Sequence, residues 1–270
     1  MAFNESSITV RPAAIAGRFY PADPEELRAV VQGHLAAGEA GPPDFGPVRA
    51  VIAPHAGYPF SGPVAGSAFR AWADSREDAV RIVIVGPSHF VPFSGLATVS
   101  VDAFETPLGP VAVDREAISR LGSIDGVREF DAAHIDEHAI ETHLPFLQVA
   151  FEKPPRIVPV LFGEATADLV ARAIRSLWDQ RTLVSISSDL SHFLNYDEAR
   201  QVDRETADLI ERVRPESIHS RRACGSTAIQ GLLEIVREER LRVQCVDLRN
   251  SGATAGPRDR VVGYGAFLIG

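Results

Sequence analysis

Three segments of this chain end an apolar, Val- and Ile-rich run on residues able to hold a metal or move a proton. They are Val51-Ile-Ala-Pro-His55-Ala-Gly57-Tyr58, Ile82-Val-Ile-Val-Gly86-Pro-Ser88-His89 and Val184-Ser-Ile-Ser-Ser-Asp189-Leu-Ser-His192. A histidine just beyond a buried strand projects into the crevice at the strand's carboxyl end, so His55, His89 and His192 can converge from distant parts of the chain. Any one of them alone reads as a capped or surface histidine. Three such placements in one chain point to a site.

Cys224 lies in Arg221-Arg-Ala-Cys224-Gly225-Ser226-Thr227, directly before a helical pattern. The amides and dipole of a helix start, with two arginines nearby, predict a depressed thiol pKa, which suits a metal ligand or a nucleophile. A small buried core cysteine fits the local sequence equally well. Two imidazoles and a thiolate form a mixed nitrogen–sulfur set that suits Zn(II), Fe(II) or copper and leaves positions open for substrate or water. The only methionine is Met1, which argues against a blue-copper site with an axial thioether.

The densest cluster of ionisable groups is Asp136-Glu137-His138-Ala-Ile-Glu141-Thr-His143-Leu-Pro145. On a helix, His138 and Glu141 would share a face. The spacing is not that of an H-E-x-x-H zinc motif, so no metal is assigned from it. The segment reads either as groups that orient metal-bound imidazoles or face substrate, or as a solvated, salt-bridged helix start. Other chemistries find less support. Ser88 lacks the G-x-S-x-G elbow, and neither a P-loop nor G-x-G-x-x-G is present. His34, His134 and His219 read as surface residues, and Cys245 as a core residue within a strand.

These residues need a scaffold. Ala50–Ala53, Arg81–Val85, Ile157–Leu161, Leu183–Ser187, Val243–Leu248 and Val261–Ile269 read as buried strands, each a short β-branched run bounded by turn residues. Helical spacing of apolar residues covers Glu25–Ala36, a segment from Ser61 or Gly62 to Trp72, Ala167–Trp178, Asp197–Val213 and Ser226–Glu239. Strands alternating with helices predict an α/β fold: a largely parallel or mixed sheet covered by helices on both faces. No repeat or convincing linker divides residues 1–270, so one domain is expected.

At 45% apolar and 23% charged residues, the composition is that of a globular protein. A net charge of −9 disfavours nucleic acid as a partner, and Arg212, Arg214, Arg221 and Arg222 read as a solvated surface. No apolar run is long enough to span a bilayer, and the N-terminal residues lack a basic-then-apolar signal, so a cytoplasmic protein without membrane contact is expected. Two cysteines make no disulfide framework.

The same motifs carry a resemblance to the Memo family. It runs from Arg11-Pro-Ala-Ala-Ile-Ala-Gly17-Arg-Phe-Tyr-Pro21, through those around His55, His89, Asp136–Pro145 and Ser187-Ser-Asp-Leu-Ser-His192, to Cys224-Gly225 and Gly263-Tyr-Gly-Ala-Phe267. The resemblance implies a fold similar to class III extradiol, LigB-type non-haem iron dioxygenases. It also implies iron or copper held by His55, His89 and Cys224. Asp189 and His192 match further pocket residues of the family, and His138 a second pocket histidine of the dioxygenases. Where extradiol enzymes carry a carboxylate this chain carries Cys224, and a thiolate alters the metal's softness and redox behaviour. Family members in prokaryotes accompany AMMECR1-like and radical-SAM proteins, which implies a shared pathway.

The expected function is thus that of a metal-dependent, dioxygenase-like oxidoreductase acting on an unknown small molecule. His192 would serve as acid or base and Asp189 would orient it or the substrate. The alternatives are a non-catalytic metal- or peptide-binding protein and a zinc-dependent hydrolase.

Overall fold

The computed structural model describes residues 8–73 and 79–270. The start of the N-terminal stretch read for a signal pattern, residues 1–7, lies outside them. The strands are β1 (Val10–Arg11), β2 (Ala50–Ala53), β3 (Arg81–Pro87), β4 (Leu96–Thr98), β5 (Ala103–Phe104), β6 (Val111–Ala112), β7 (Val127–Glu129), β8 (Arg156–Phe162), β9 (Thr182–Ser187), β10 (His192–Leu194), β11 (Val243–Asn250) and β12 (Val261–Ile269). The helices are α1 (Pro24–Ala37), α2 (Tyr58–Ala73), α3 (Arg115–Leu121), α4 (Leu144–Ala150), α5 (Ala167–Leu177), α6 (Tyr196–Glu211), α7 (Ser226–Glu239) and α8 (Ser251–Thr254).

A nine-stranded sheet runs in the order β10-β12-β2-β9-β3-β8-β4-β7, with β11 pairing to β12. Its centre, β2-β9-β3-β8, is parallel, while β12 and β4 join it antiparallel. The sheet is therefore mixed. The central strands are buried because helices cover both faces, and every residue of β2 and β9 is buried, the serines of β9 included. The connection from β2 to β3 moves one way across the sheet and that from β8 to β9 the other. With right-handed crossovers, this puts α2 and α5 on opposite faces. Accordingly α1 and α4 pack on α2, and α3 and α7 on α5.

In register, Ala53 of β2 faces Ser187 of β9, and Pro87 of β3 faces Phe162 of β8. The carboxyl ends of these four strands thus finish side by side. The residues that follow them share one crevice.

Helix α2 begins earlier than its apolar spacing predicts, despite Pro59 and Pro63. Pro59 lies in the first turn, where amide donors have no partner within the helix, whereas Pro63 lies inside the helix and removes one main-chain hydrogen bond. Gly57 closes the first turn, its carbonyl accepting from Phe60 N and Ser61 N at 2.9 and 3.0 Å. The segment Asp131–His143 forms two short 3-10 turns, Asp131–Ala133 and Glu141–His143, around irregular backbone. Among the described residues no helix is long and apolar enough to cross a membrane.

Candidate metal centre

His55 leaves β2 and is buried. Its Nδ1 lies 2.7 Å from Ser187 Oγ, and Ser187 spends its one hydroxyl proton on Ala139 O at 2.5 Å. Ser187 can therefore only accept from His55, which makes His55 the Nδ1–H tautomer with a bare lone pair on Nε2. Burial, followed by repulsion from the imidazoles of His89, His138, His143 and His192, pulls its pKa well below the usual value. His55 stays neutral at pH 7, the state in which imidazole ligates a metal.

His89 leaves β3 and is fixed by Glu137. Its Nδ1 lies 2.8 Å from Glu137 Oε1, and its backbone N–H donates to Oε2 at 2.6 Å. Because a carboxylate accepts, His89 too carries its proton on Nδ1 and bares Nε2. Glu137 also accepts from the amides of His138 and Ala139, both at 2.9 Å. Burial works to raise the pKa of this carboxyl, but the hydrogen bonds and charge of His89 outweigh it and the net shift is downward. Glu137 is a buried carboxylate that aims an imidazole, the arrangement found behind metal-bound histidines.

His138 completes the cluster. Its ring stacks on His89 at a centroid distance of 4.5 Å and meets His55 edge-on at 5.3 Å. Its buried Nδ1 lies 3.2 Å from Glu137 Oε1 without the geometry of a hydrogen bond. Burial pushes its pKa down to about 4, so it is neutral. Each of His55, His89 and His138 offers a nitrogen, and these atoms all lie within 4.8 Å of one another. Such a group could hold a metal ion: neutral imidazoles, two with aimed lone pairs, and one buried nitrogen without a hydrogen bond beside them.

Cys224, expected with His55 and His89, lies against His55, its Sγ 3.4 Å from Nε2, but the mutually close group of ligand atoms takes His138 in its place. The Asp189 amide donates to this sulfur at 3.2 Å, and the Cys224 amide donates to Asp189 O at 3.2 Å. The sequence predicts a depressed thiol pKa here, but burial pushes it up to about 12, assisted by the Asp189 carboxylate. Arg222 does not offset this because it turns away to Glu205, at 3.3 Å. In the metal-free protein Cys224 is a thiol.

Asp189 Oδ1 accepts from the His55 amide at 2.9 Å, so this carboxylate fixes the backbone beneath the His55 ring. Burial raises its pKa to about 6. His192 Nδ1 lies 2.8 Å from Leu190 O. A carbonyl only accepts, so Nδ1 carries the proton and Nε2 is free to take one. His192 and Cys224 line one cavity.

The Asp136–Pro145 segment is no solvated helix start: Glu137, Glu141 and His143 are all buried. Glu141 pairs with Arg11 and accepts from Tyr20 Oη at 2.5 Å and from the amides of Ala14 and Ile15. Arg11 also donates to His134 O and Glu137 O at 2.8 and 2.7 Å, clamping the loop that presents Glu137 and His138. His143 donates through Nε2 to Pro54 O at 3.2 Å and meets Ser185 Oγ through Nδ1, which makes it a satisfied structural histidine. His134, read from sequence as a surface residue, is 2% exposed, with Nε2 on Ala97 O at 3.1 Å. His34 is half-buried and His219 exposed. Glu137 lies in the segment read from sequence as able to orient imidazoles, whereas Ser187, which holds His55, is not singled out there.

The sequence pattern of the Memo-like protein family matches residues 11–268. The chain belongs to the Memo family. A MEMO1 family protein of Methanopyrus kandleri is 34% identical, the alignment covering 96% of this chain and 98% of the relative. One from Ignicoccus hospitalis is 33% identical over 95% and 97%. The crystal structure of an uncharacterized protein from Escherichia coli K12 aligns with a TM-score of 0.48 at 13% identity, covering 83% of this chain and 100% of that one.

Proposed function

We propose that this Memo family chain binds a redox-active transition metal, iron(II) or copper, and uses it as an oxidoreductase on a small molecule. His55 and His89 would be ligands through Nε2, with Cys224 as the third. The observation that carries this is the pair of aimed lone pairs beside a sulfur. A nitrogen about 2.0–2.1 Å and a sulfur about 2.3 Å from one ion stand roughly 3.5 Å apart at a tetrahedral angle. The 3.4 Å between Cys224 Sγ and His55 Nε2 matches that separation.

When bound, the metal would act as a Lewis acid and an electron relay, and would stabilise Cys224 as a thiolate against the burial that otherwise protonates it. The chain's own residues do the rest. Glu137 and Ser187 hold the two imidazoles in one tautomer. Asp189 anchors the backbone of His55. His192, with Nε2 bare, can take a proton from a substrate lodged beside Cys224. His138 stands beside the metal position as an acceptor or donor to substrate.

His138 is the competing third ligand, because it shares the nitrogen cluster with His55 and His89. Anaerobic titration of full-length protein with Fe(II), Cu(I) and Zn(II) separates the two. Cys224→Ser should lose tight binding while His138→Gln keeps it. Equal uptake by wild type and Cys224→Ser removes the thiolate from the reading, and no uptake above background by wild type removes the metal. Oxygen consumption with Fe(II) or Cu(I), and none with Zn(II), is the expected sign of oxidoreductase chemistry.

A further inference from the structure

Two cavities meet at Cys224 and differ in character. The first, of about 450 Å³, is lined by His192, Leu194, Ser220, Arg221 and Cys224, with no acidic side chain among them. The second, of about 540 Å³, is walled chiefly by Val91, Pro92, Phe93 and Phe162, and also touches Ser88 and Glu164. Each is of a size that takes a small organic molecule.

Arg221, an exposed side chain, is the only arginine among the described residues that lines the first cavity. Its neighbour Arg222 is occupied by Glu205 and by the Thr206 hydroxyl, both at 3.3 Å. Arg214 and Arg237 share Glu216, and Arg175 holds Glu238. Arg221 has no hydrogen bond, ion pair or ring contact among the described residues, yet its side chain lines the cavity that ends at Cys224. Among the described residues no acidic one lines this cavity, and the Asp189 carboxylate behind Cys224 is buried and accepts from the His55 amide. An unpaired guanidinium facing a cavity that also holds an imidazole is suited to a planar or tetrahedral oxyanion, which its fork of donors can grip with two bonds. At the other side, Glu164 is exposed and repels a second anion, so one orientation is favoured.

We infer that the substrate of this site carries one anionic group, a carboxylate or a phosphate, received by Arg221, joined to an apolar body that lies against Val91, Pro92, Phe93 and Phe162 across Cys224. The inference rests on the metal-site reading above only in placing the chemistry between the two cavities. His192, on the anionic side, then stands beside the portion of substrate nearest Cys224.

The test uses full-length protein, with and without Fe(II), and three ring compounds of similar size: benzoate, phenylphosphate and neutral benzamide. Binding is followed by calorimetry or ligand-observed NMR. The expected result is that at least one anion binds and benzamide binds more than tenfold more weakly. Benzoate and phenylphosphate report which oxyanion is preferred. Arg221→Gln should lose at least tenfold in anion affinity, Arg221→Lys should fall between it and wild type by keeping the charge without the two-bond grip, and Arg237→Gln should match wild type. Metal uptake of Arg221→Gln should equal wild type, which shows the fold intact. Benzamide binding as tightly as benzoate, or anions binding Arg221→Gln as they bind wild type, overturns the assignment. If wild type takes up no metal, the metal reading fails, while the anion preference is still decided by the Arg221 variants on the metal-free protein.

Discussion

Replacing Glu137 by glutamine tests whether a buried carboxylate tunes the centre or merely fills space. Glu137 accepts four N–H groups: His89 Nδ1, and the amides of His138 and Ala139, on Oε1, and the His89 amide on Oε2. An amide of the same size supplies one oxygen and one NH2. The orientation that loses least keeps oxygen under the three donors and turns NH2 toward the His89 amide, leaving that donor without a partner. An orphaned buried donor costs about 1–3 kcal/mol, so the metal-free variant should unfold at correspondingly lower denaturant. The His89 ring keeps an acceptor and its tautomer, but the acceptor is no longer charged and the imidazole becomes less basic. Loss of such an orienting partner costs 10–100-fold in metal affinity in comparable sites, or about 1.4–2.7 kcal/mol.

Chelator competition with Fe(II) or Zn(II), run beside urea denaturation of the same metal-free sample, separates the two effects. Both should appear. Destabilisation with unchanged metal affinity would show that His89 is not a ligand whose basicity Glu137 sets, and the account of the centre would lose its best-defined orienting contact.

Two further outcomes follow from the surroundings. His134 is buried and its pKa is lowered by that burial from 6.5 to about 4, so between these values the unfolded chain binds the proton that the folded one refuses. Its contribution is complete above pH 6.5 and is lost as pH falls toward 4, by roughly 3 kcal/mol; urea stability of His134→Asn should be flatter across that window, and parallel curves would refute this. Gly225 has no room for a side chain, since a Cβ there would stand 2.5 Å from Ser188 Cβ and 2.8 Å from Ser187 O. Gly225→Ala should therefore push Cys224 off the end of β9 and lower metal uptake by at least tenfold, whereas wild-type uptake would mean the sulfur is dispensable.

What could be read from the chain, and what could not, divides along sequence distance. Strands β2, β3, β8, β9 and β12 are largely buried apolar runs, and that pattern is local, whereas β11, expected to be a buried strand, pairs with β12 alone among the described strands and is mostly half-buried. Residues just past those runs had to share the carboxyl edge, so His55, His89 and Asp189 were placeable without coordinates. Two-residue strands such as β5 and β6 carry too little pattern to be seen. The thiol pKa of Cys224 was misjudged because helix dipole and arginine charge are visible in sequence while burial is not, and here burial prevails.

Orientation of the ligands lies on the far side of that divide. Ser187 meets His55 across 132 positions, Glu137 meets His89 across 48, and Arg11 reaches Glu141 across 130. The loop from Asp131 to His143 has no helical period to betray it; its shape comes from Arg11, Tyr20 and two amides closing on one buried carboxylate. A glutamate in such a loop looks solvated until its partners are known. The same reasoning works in reverse for Arg221, which sequence assigns to a solvated surface along with its arginine neighbours. Arg214 is matched to Glu216 and Arg222 to Glu205, whereas Arg221 lines the cavity beside Cys224, where a partner can come from outside the chain.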